Sequence, residues 1–290
     1  MPGRLPTGGS PSCRPDAVGA SQHPVNAGVA LTIHGSTFQC VQYALNVATH
    51  TRPPADDPYC GMSTSREPIV LSWSGGKDSA LALAALRDDP DVEVVGLLTS
   101  VTAGYERISI HGVRRTLLEA QVRALGLPLH ELVLEAASSN EAYEEALHTA
   151  LTGVTRAHPG VTRVAYGDLF LEDVRRYREE SLAAIGYTCM FPLWGRPTSA
   201  LAQELIDRAY AARIVCVDTT QLDGAFTGRA FDNDLLADLP PSVDPCGERG
   251  EFHTFVSAGP GFTHPVSYTV GETVLRDNRF AYCDLVGNGD

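Results

Sequence analysis

Lysine is nearly missing from this chain of 290 residues: of its 22 basic side chains, all but Lys77 are arginine. Basic charge is short as a whole, because 35 Asp and Glu leave a net charge of −13. That balance argues against nonspecific binding to nucleic acid, and only a local arginine patch is left for RNA or an acidic substrate. Paired cysteines are also missing. Cys13, Cys40, Cys60, Cys189, Cys216, Cys246 and Cys283 are scattered, odd in number and never spaced Cys-x-x-Cys. Free thiols in a reducing cytoplasm fit this pattern, and neither a structural zinc site nor a disulfide framework does. No apolar run reaches the length of a membrane span. Residues Ala27–Val47 are mildly apolar, but His34, Gln39 and Gln42 interrupt them and no basic segment leads in, so no secretory signal is expected. A Walker A spacing is absent as well, and there is no internal repeat.

What is present describes a globular protein with 43% hydrophobic and 20% charged residues, long enough for one large domain or two smaller ones. The first 61 residues differ from the rest. They hold three arginines and three aspartates, are frequent in Pro, Gly, Ser and Thr, and offer only Thr37–Ala48 as a short element. Met62 reads as the true start, and residues 1–66 as a disordered extension or a mis-called start; a regulatory or targeting arm is the alternative.

From Pro68 onward strands and helices alternate. Strand patterns at Ile69–Trp73, Val92–Thr99, Leu129–Leu134, Val161–Tyr166, Cys189–Leu193 and Arg213–Val217 are separated by helical spacing. The helices are expected at Ala80–Leu86, Gly112–Leu125, Asn140–Leu151, Glu172–Ile185 and Thr198–Ala211. This order predicts an α/β fold, a doubly wound and mostly parallel sheet with ligands at the carboxyl ends of its strands. After Gln221 the rhythm changes. Val266–Thr273 and Arg279–Val286 read as two strands, a hairpin at the sheet edge.

The most informative stretch is Ile69–Ser79. An apolar strand ends in Ser74-Gly75-Gly76-Lys77-Asp78-Ser79, and a helical pattern follows at once. The first N–H groups of a helix lack partners and its dipole is positive there, so such a turn is an anion cradle. Gly75 and Gly76 let the backbone approach an anion, Lys77 adds a point charge, and Asp78 or Ser79 caps the helix. The alternative is an ordinary glycine-containing strand–helix turn.

This loop resembles the pyrophosphate loop, Ser-Gly-Gly-x-Asp-Ser, of the adenine nucleotide α-hydrolase superfamily. Further stretches narrow the resemblance to the diphthine–ammonia ligase family, also called the diphthamide synthase domain. They are Ile110-His111, Ala124-Leu125-Gly126-Leu127-Pro128, Gly167-Asp168 followed by Arg176-Tyr177, Pro192-Leu193-Trp194-Gly195-Arg196, and Gly247–Phe255. The resemblance spans Ile69–Phe262. Its archaeal members carry Gly-Glu-Gly-Gly-Glu where this chain has Cys246-Gly247-Glu248-Arg249-Gly250-Glu251, a departure in the acceptor segment that leaves ATP use intact and the acceptor open between diphthine and another carboxylate.

The resemblance implies an ATP-binding domain at residues 67–220 and a substrate-binding region at 221–290. It implies a ligase that splits ATP into AMP and pyrophosphate through an acyl-adenylate, which ammonia then converts to an amide. Lys77 and Asp78 would be catalytic. Ser74, Gly75, Gly76, Lys77, Asp78, Ser79, His111, Gly167 and Asp168 would hold ATP, and Asp78 or Asp168 a Mg²⁺ ion. Arg176, Tyr177, Trp194, Arg196, Gly247, Glu248, Glu251, His253 and Thr254 would meet the acceptor. The implied partners are ATP, ammonia and elongation factor 2 as protein substrate, in the cytoplasm, with no stable nucleic acid and no membrane; a homo-oligomer is open.

Several residues carry a plainer reading beside that one. Glu248 and Glu251 can bind a cationic substrate group or simply cap a tight turn. Arg175, Arg176 and Arg178 can clamp phosphate or pair with Glu172, Glu179 and Glu180 along a helix. Trp194 can pack or stack, and Cys246 lacks the partner that sulfur transfer needs. Two other functions stay in view: a nucleotide-binding sensor without ligase activity, and a tRNA-modifying ATP pyrophosphatase.

Overall fold

The structure, a computed structural model, describes residues 66–287 except 105–106, 109–110 and 136–137. The expectations for residues 1–65, the start at Met62 and the element at Thr37–Ala48 among them, lie outside the described residues.

Ile69, Val70 and Leu71 are fully buried, as a strand covered on both faces requires. They form β1 (Glu67–Ser72), the middle of a five-stranded parallel sheet. The chain continues through α1 (Lys77–Asp88), β2 (Val92–Thr102), α2 (Arg115–Leu125) and β3 (Leu129–Leu134). It then crosses back through α3 (Asn140–Ala157) to β4 (Arg163–Ala165), α4 (Glu172–Ala183) and β5 (Thr188–Met190). The strand order is β3-β2-β1-β4-β5, so the direction of winding reverses between β1 and β4. Gly126, at φ 66°, closes α2 in the left-handed conformation, and Ser139 Oγ caps α3 by accepting from Ala142 N at 3.3 Å.

The pleat of β1 divides the core. Ile69, Leu71 and Trp73 pack with α1 and α2, whereas Val70 packs with Leu147, Leu151 and Leu182 from α3 and α4. A doubly wound sheet results, as the alternation predicts.

The chain then runs through α5 (Thr198–Asp207), β6 (Ala211–Asp218), a 3-10 turn at Gly224–Phe226, α6 (Asn233–Asp238), β7 (Phe252–Ala258), β8 (Tyr268–Arg276) and β9 (Phe280–Gly287). These strands make a second sheet, ordered β7-β6-β9-β8 and antiparallel throughout. Two expectations change here. Arg213–Val217 is a strand, but it belongs to β6 of the second sheet rather than to the parallel one. The last two strands do form a hairpin, yet they extend the second sheet rather than the edge of the first. A hydrophobic pattern marks a strand without naming its partner, and β7, which β6 pairs with, lay hidden behind a turn-rich segment.

The two sheets share one interior. Ile214, Val217, Phe252 and Phe255 belong to the same apolar cluster as Ile69, Trp73 and α1. No helix among the described residues is long and apolar enough to cross a membrane.

Candidate active site

The crevice at a reversal of winding is where ligands of such sheets bind, and here the turns after β1 and β4 flank it. In the β1 turn, Gly75 has φ 78°, and a Cβ on it would lie 2.7 Å from Gln121 Oε1. Only glycine meets both conditions. The helix start departs from expectation, since Gly76 is the N-cap and α1 has no side-chain cap. Ser79 Oγ instead donates back to the Gly76 carbonyl at 2.9 Å and touches Ser74 Oγ at 3.3 Å.

Two donors of this turn are used internally. Gly76 N–H donates to Ser74 Oγ at 3.3 Å, and Lys77 N–H to Thr254 Oγ1 at 3.0 Å. Thr254 therefore fastens β7 to the turn, and Val256 N–H adds a bond to the Gly75 carbonyl at 2.9 Å. Buried Gln121 completes the joint. Its Nε2 donates to the carbonyls of Gly75 and Val256 at 2.9 and 2.6 Å, and its Oε1 accepts from Trp73 Nε1 at 3.2 Å.

The β4 turn holds Tyr166, Gly167 and Asp168. A Cβ on Gly167 would sit 2.9 Å from the carbonyl carbon of Asp78 and 3.1 Å from Ser79 N, so glycine lets the two turns touch. Arg178, from the second turn of α4, reaches back with Nε 2.8 Å from Asp168 Oδ2, and its guanidinium lies 4.2 Å from the Tyr166 ring centroid.

A third wall comes from the segment before β7. Asp244 organises it by accepting from Cys246 N–H at 2.9 Å and Glu248 N–H at 3.3 Å. Glu251, buried, accepts from Asp244 N–H at 3.0 Å and Arg249 N–H at 2.9 Å. Glu251 thus holds the turn, and Glu248 alone of the two lines the cleft. Its Oε1 accepts from Leu169 N–H at 2.7 Å.

The three walls enclose a cleft of about 220 Å³ lined by Lys77, Asp78, His111, Asp168, Arg178 and Glu248 among others. Lys77 Nζ is 2.8 Å from Asp78 Oδ2 and 5.3 Å from the Phe252 ring centroid. Burial opposes its charge, but Asp78, with Cys246 and Glu248, outweighs burial and holds the ammonium pKa above its ordinary value. Burial raises Asp78, against the pull of Lys77. Burial likewise lifts Glu248 to about 7, helped by Asp78 and Asp168 and opposed by the Leu169 N–H bond. The His111 and His253 rings meet tilted, with centroids 4.8 Å apart, and His111 Nδ1 is 3.2 Å from the Thr254 carbonyl. Burial lowers His111 to about 4 and takes His253 well below its usual value, so both rings are neutral at pH 7.

Residues 67–186 match the diphthamide synthase N-terminal domain, and residues 197–282 match the diphthamide synthase C-terminal domain. The chain belongs to the diphthamide synthase family. No match was found among curated proteins.

The chain brings eleven of the expected residues to one cleft: Ser74, Lys77, Asp78, Ser79, His111, Gly167, Asp168, Gly247, Glu248, His253 and Thr254. Gly75 and Gly76 shape the same turn but do not line the cleft. Four others stand apart. Arg176 is exposed; Tyr177 packs near Tyr143, with rings 6.5 Å apart; Arg196 pairs with Glu204 at 2.5 Å. Trp194 takes the guanidinium of Arg175 at 4.8 Å, and Arg175 also pairs with Glu179 at 2.8 Å, so the α4 arginines divide their roles. Cys246 is buried, donates to the Thr198 carbonyl at 3.2 Å and has its pKa pushed by burial to about 12, which is no activated thiolate. Ile110 lies outside the described residues.

Gln121, Asp244, Tyr166 and the singular position of Arg178 are site features that the sequence pattern does not single out. Gln121 left one signal, an amide on the apolar stripe of Leu117, Leu118, Ala124 and Leu125. Asp244-Pro245 left another, a turn-initiating pair. Among the described residues, no group of three or more His, Cys, Asp or Glu is placed to hold a metal ion.

Proposed function

We propose that this chain is an ATP-dependent ligase that forms an amide from a carboxylate and ammonia, releasing AMP and pyrophosphate. One observation carries the reading: the glycine loop, the Gly167-Asp168 turn and the Glu248–Thr254 segment, distant in sequence, meet in a single cleft at the winding reversal. An acceptor carboxylate oxygen attacks the α-phosphorus, and the bond from that phosphorus to the pyrophosphate oxygen breaks. Ammonia then attacks the acyl carbon, the bond to the AMP oxygen breaks, and the nitrogen gives up a proton. Lys77 and the start of α1 stabilise the negative charge that gathers on the departing pyrophosphate. Positioning of the two reactants in the cleft supplies much of the remaining acceleration.

The donor set fits a hard cation. Asp78 Oδ1 is buried without a hydrogen-bond partner among the described residues, and Asp78 and Asp168 are the two carboxylates of the facing turns. Two carboxylates leave most of a coordination sphere to water and phosphate oxygens, as Mg²⁺ prefers, and the ion would neutralise phosphate charge. The acceptor in this reading is the carboxylate of diphthine on elongation factor 2, with Glu248 the cleft carboxylate nearest in character to a partner for its cationic group.

The test is product analysis. Acceptor-dependent release of AMP and pyrophosphate is expected, and ADP in their place would rule the reading out. Binding of nucleotide with no turnover on any carboxylate tried would favour a sensor. Lys77→Ala should cut turnover by at least about 100-fold, in line with loss of a charged transition-state ligand, and leave the fold intact. A steady-state assay with circular dichroism on the same sample checks it.

A further inference from the structure

Among the described residues, the two cations that line the cleft, Lys77 and Arg178, are already engaged. Lys77 Nζ rests 2.8 Å from Asp78 Oδ2. Arg178 holds Asp168 through one hydrogen bond, Nη2 to Oδ1 at 3.2 Å, and a close charge contact, Nε to Oδ2 at 2.8 Å, whose geometry makes no hydrogen bond. Glu248 adds a third carboxyl to the same cleft. A polyphosphate entering this arrangement meets no surplus of positive side-chain charge among the described residues. A cleft that binds a highly charged anion must therefore redistribute its ion pairs, and the geometry shows where that is possible.

Arg178 is held from two independent directions. Its guanidinium lies over the Tyr166 ring at 4.2 Å, so loss of the Asp168 contact would leave it lodged in the cleft. Its planar fork suits a phosphate as well as it suits a carboxylate. Asp168, in turn, sits on the turn that packs against Asp78, where a hard cation would be shared.

We propose that Arg178 is a phosphate ligand of the nucleotide, that Asp168 is its resting counter-ion, and that a divalent cation taking Asp168 frees Arg178 for the phosphates. This rests on the ATP reading above and adds a positioning group to it. Nucleotide affinity is then conditional on the metal for a reason built into this chain: the ion releases a guanidinium besides adding its own charge.

Calorimetric titration of the full chain with inorganic pyrophosphate and with ATP, each with Mg²⁺ and with EDTA, tests it. In EDTA, Asp168→Asn should bind pyrophosphate about tenfold more tightly than the wild type, since it removes the competing carboxylate. The double variant Asp168→Asn with Arg178→Gln should lose that gain. Arg178→Gln alone should weaken binding of ATP with Mg²⁺ by about tenfold or more, while Arg178→Lys recovers part of it. Thermal unfolding of each variant monitors the fold, and should Asp168→Asn not fold, the Arg178 variants decide alone. The proposal falls if Asp168→Asn binds metal-free pyrophosphate no better than the wild type. It also falls if the double variant keeps the gain, or if Arg178→Gln binds ATP with Mg²⁺ normally. A wild type that binds neither ligand with Mg²⁺ overturns the ATP reading, and this one with it.

Discussion

Gln121 shows how one polar side chain can hold a site it does not line. Its amide joins the glycine turn, the end of β7 and the Trp73 indole, and it is wholly buried. Gln121→Leu keeps the volume but leaves the Trp73 N–H and the Val256 carbonyl without that partner. The expected loss is about 2–4 kcal/mol, read from urea unfolding, because buried groups stripped of partners carry their full desolvation cost. Glu248 makes a different prediction at the same scale. Burial and the nearby Asp78 and Asp168 raise its pKa from 4.5 to about 7, although Lys77 and the Leu169 N–H pull the other way. A carboxyl raised on folding favours the folded state below its unfolded value, and that advantage fades as pH rises through the folded one. Between pH 4.5 and about 7 the wild type should therefore lose stability relative to Glu248→Gln. Parallel pH series of thermal midpoints check this; equal slopes for the two proteins would contradict it.

At the scale of elements, the site depends on two turns from the parallel sheet meeting one segment from the second sheet. Gly167→Ala probes that meeting, because its Cβ would lie 2.9 Å from the Asp78 carbonyl carbon with only backbone to give way. A cost of about 1–3 kcal/mol and weaker nucleotide binding are expected, measured by unfolding and titration. Much of this scale was legible beforehand. Leu129–Leu134 matches β3, and the strand, glycine turn and helix of Ile69–Leu86 stand where the pattern put them, because periodicity and glycine act locally. The pairing of β6 with β7 was not legible, since partner choice depends on contacts between distant segments. The site follows the same division. The residues of the glycine loop were readable from spacing, whereas Glu251 and Thr254 proved to be fasteners of turns only once their backbone donors were placed beside them. Arg178 could not be told from Arg175 by composition. One faces the cleft and the other stacks on Trp194, a difference of helix phase relative to Asp168 that only the tertiary arrangement supplies.

For the whole molecule, a single apolar interior spans both sheets, so the matched domains at 67–186 and 197–282 are not expected to be independent folding units. A fragment ending at residue 196 would strip Trp73 and α1 of Phe252, Phe255 and Val256, and would leave the Gly75 carbonyl without Val256 N–H. It should lack a cooperative thermal transition and bind a hydrophobic dye; a sharp native-like melt would refute a shared core. Acid supplies a second handle on the second sheet. Burial opposes ionisation of Asp284, but Arg114 and Arg107 outweigh it and hold its carboxyl below the ordinary range. Asp218 is lowered in the same sense, against burial, by Arg279, Thr220 and Gln221. A carboxylate lowered on folding contributes stability that is complete above its unfolded value and is lost as pH falls through the folded one. Stability should thus start to fall below about pH 3.8 and continue downward. Asp284→Asn should be less stable than the wild type at neutral pH, and the gap should close through that acid window. Both Asp284 contacts reach the 107–114 segment beside His111, so acid should loosen the cleft together with the sheet. Loss of pyrophosphate binding in step with the far-ultraviolet signal would show one coupled unit, and a cleft that outlives the second sheet would refute the coupling.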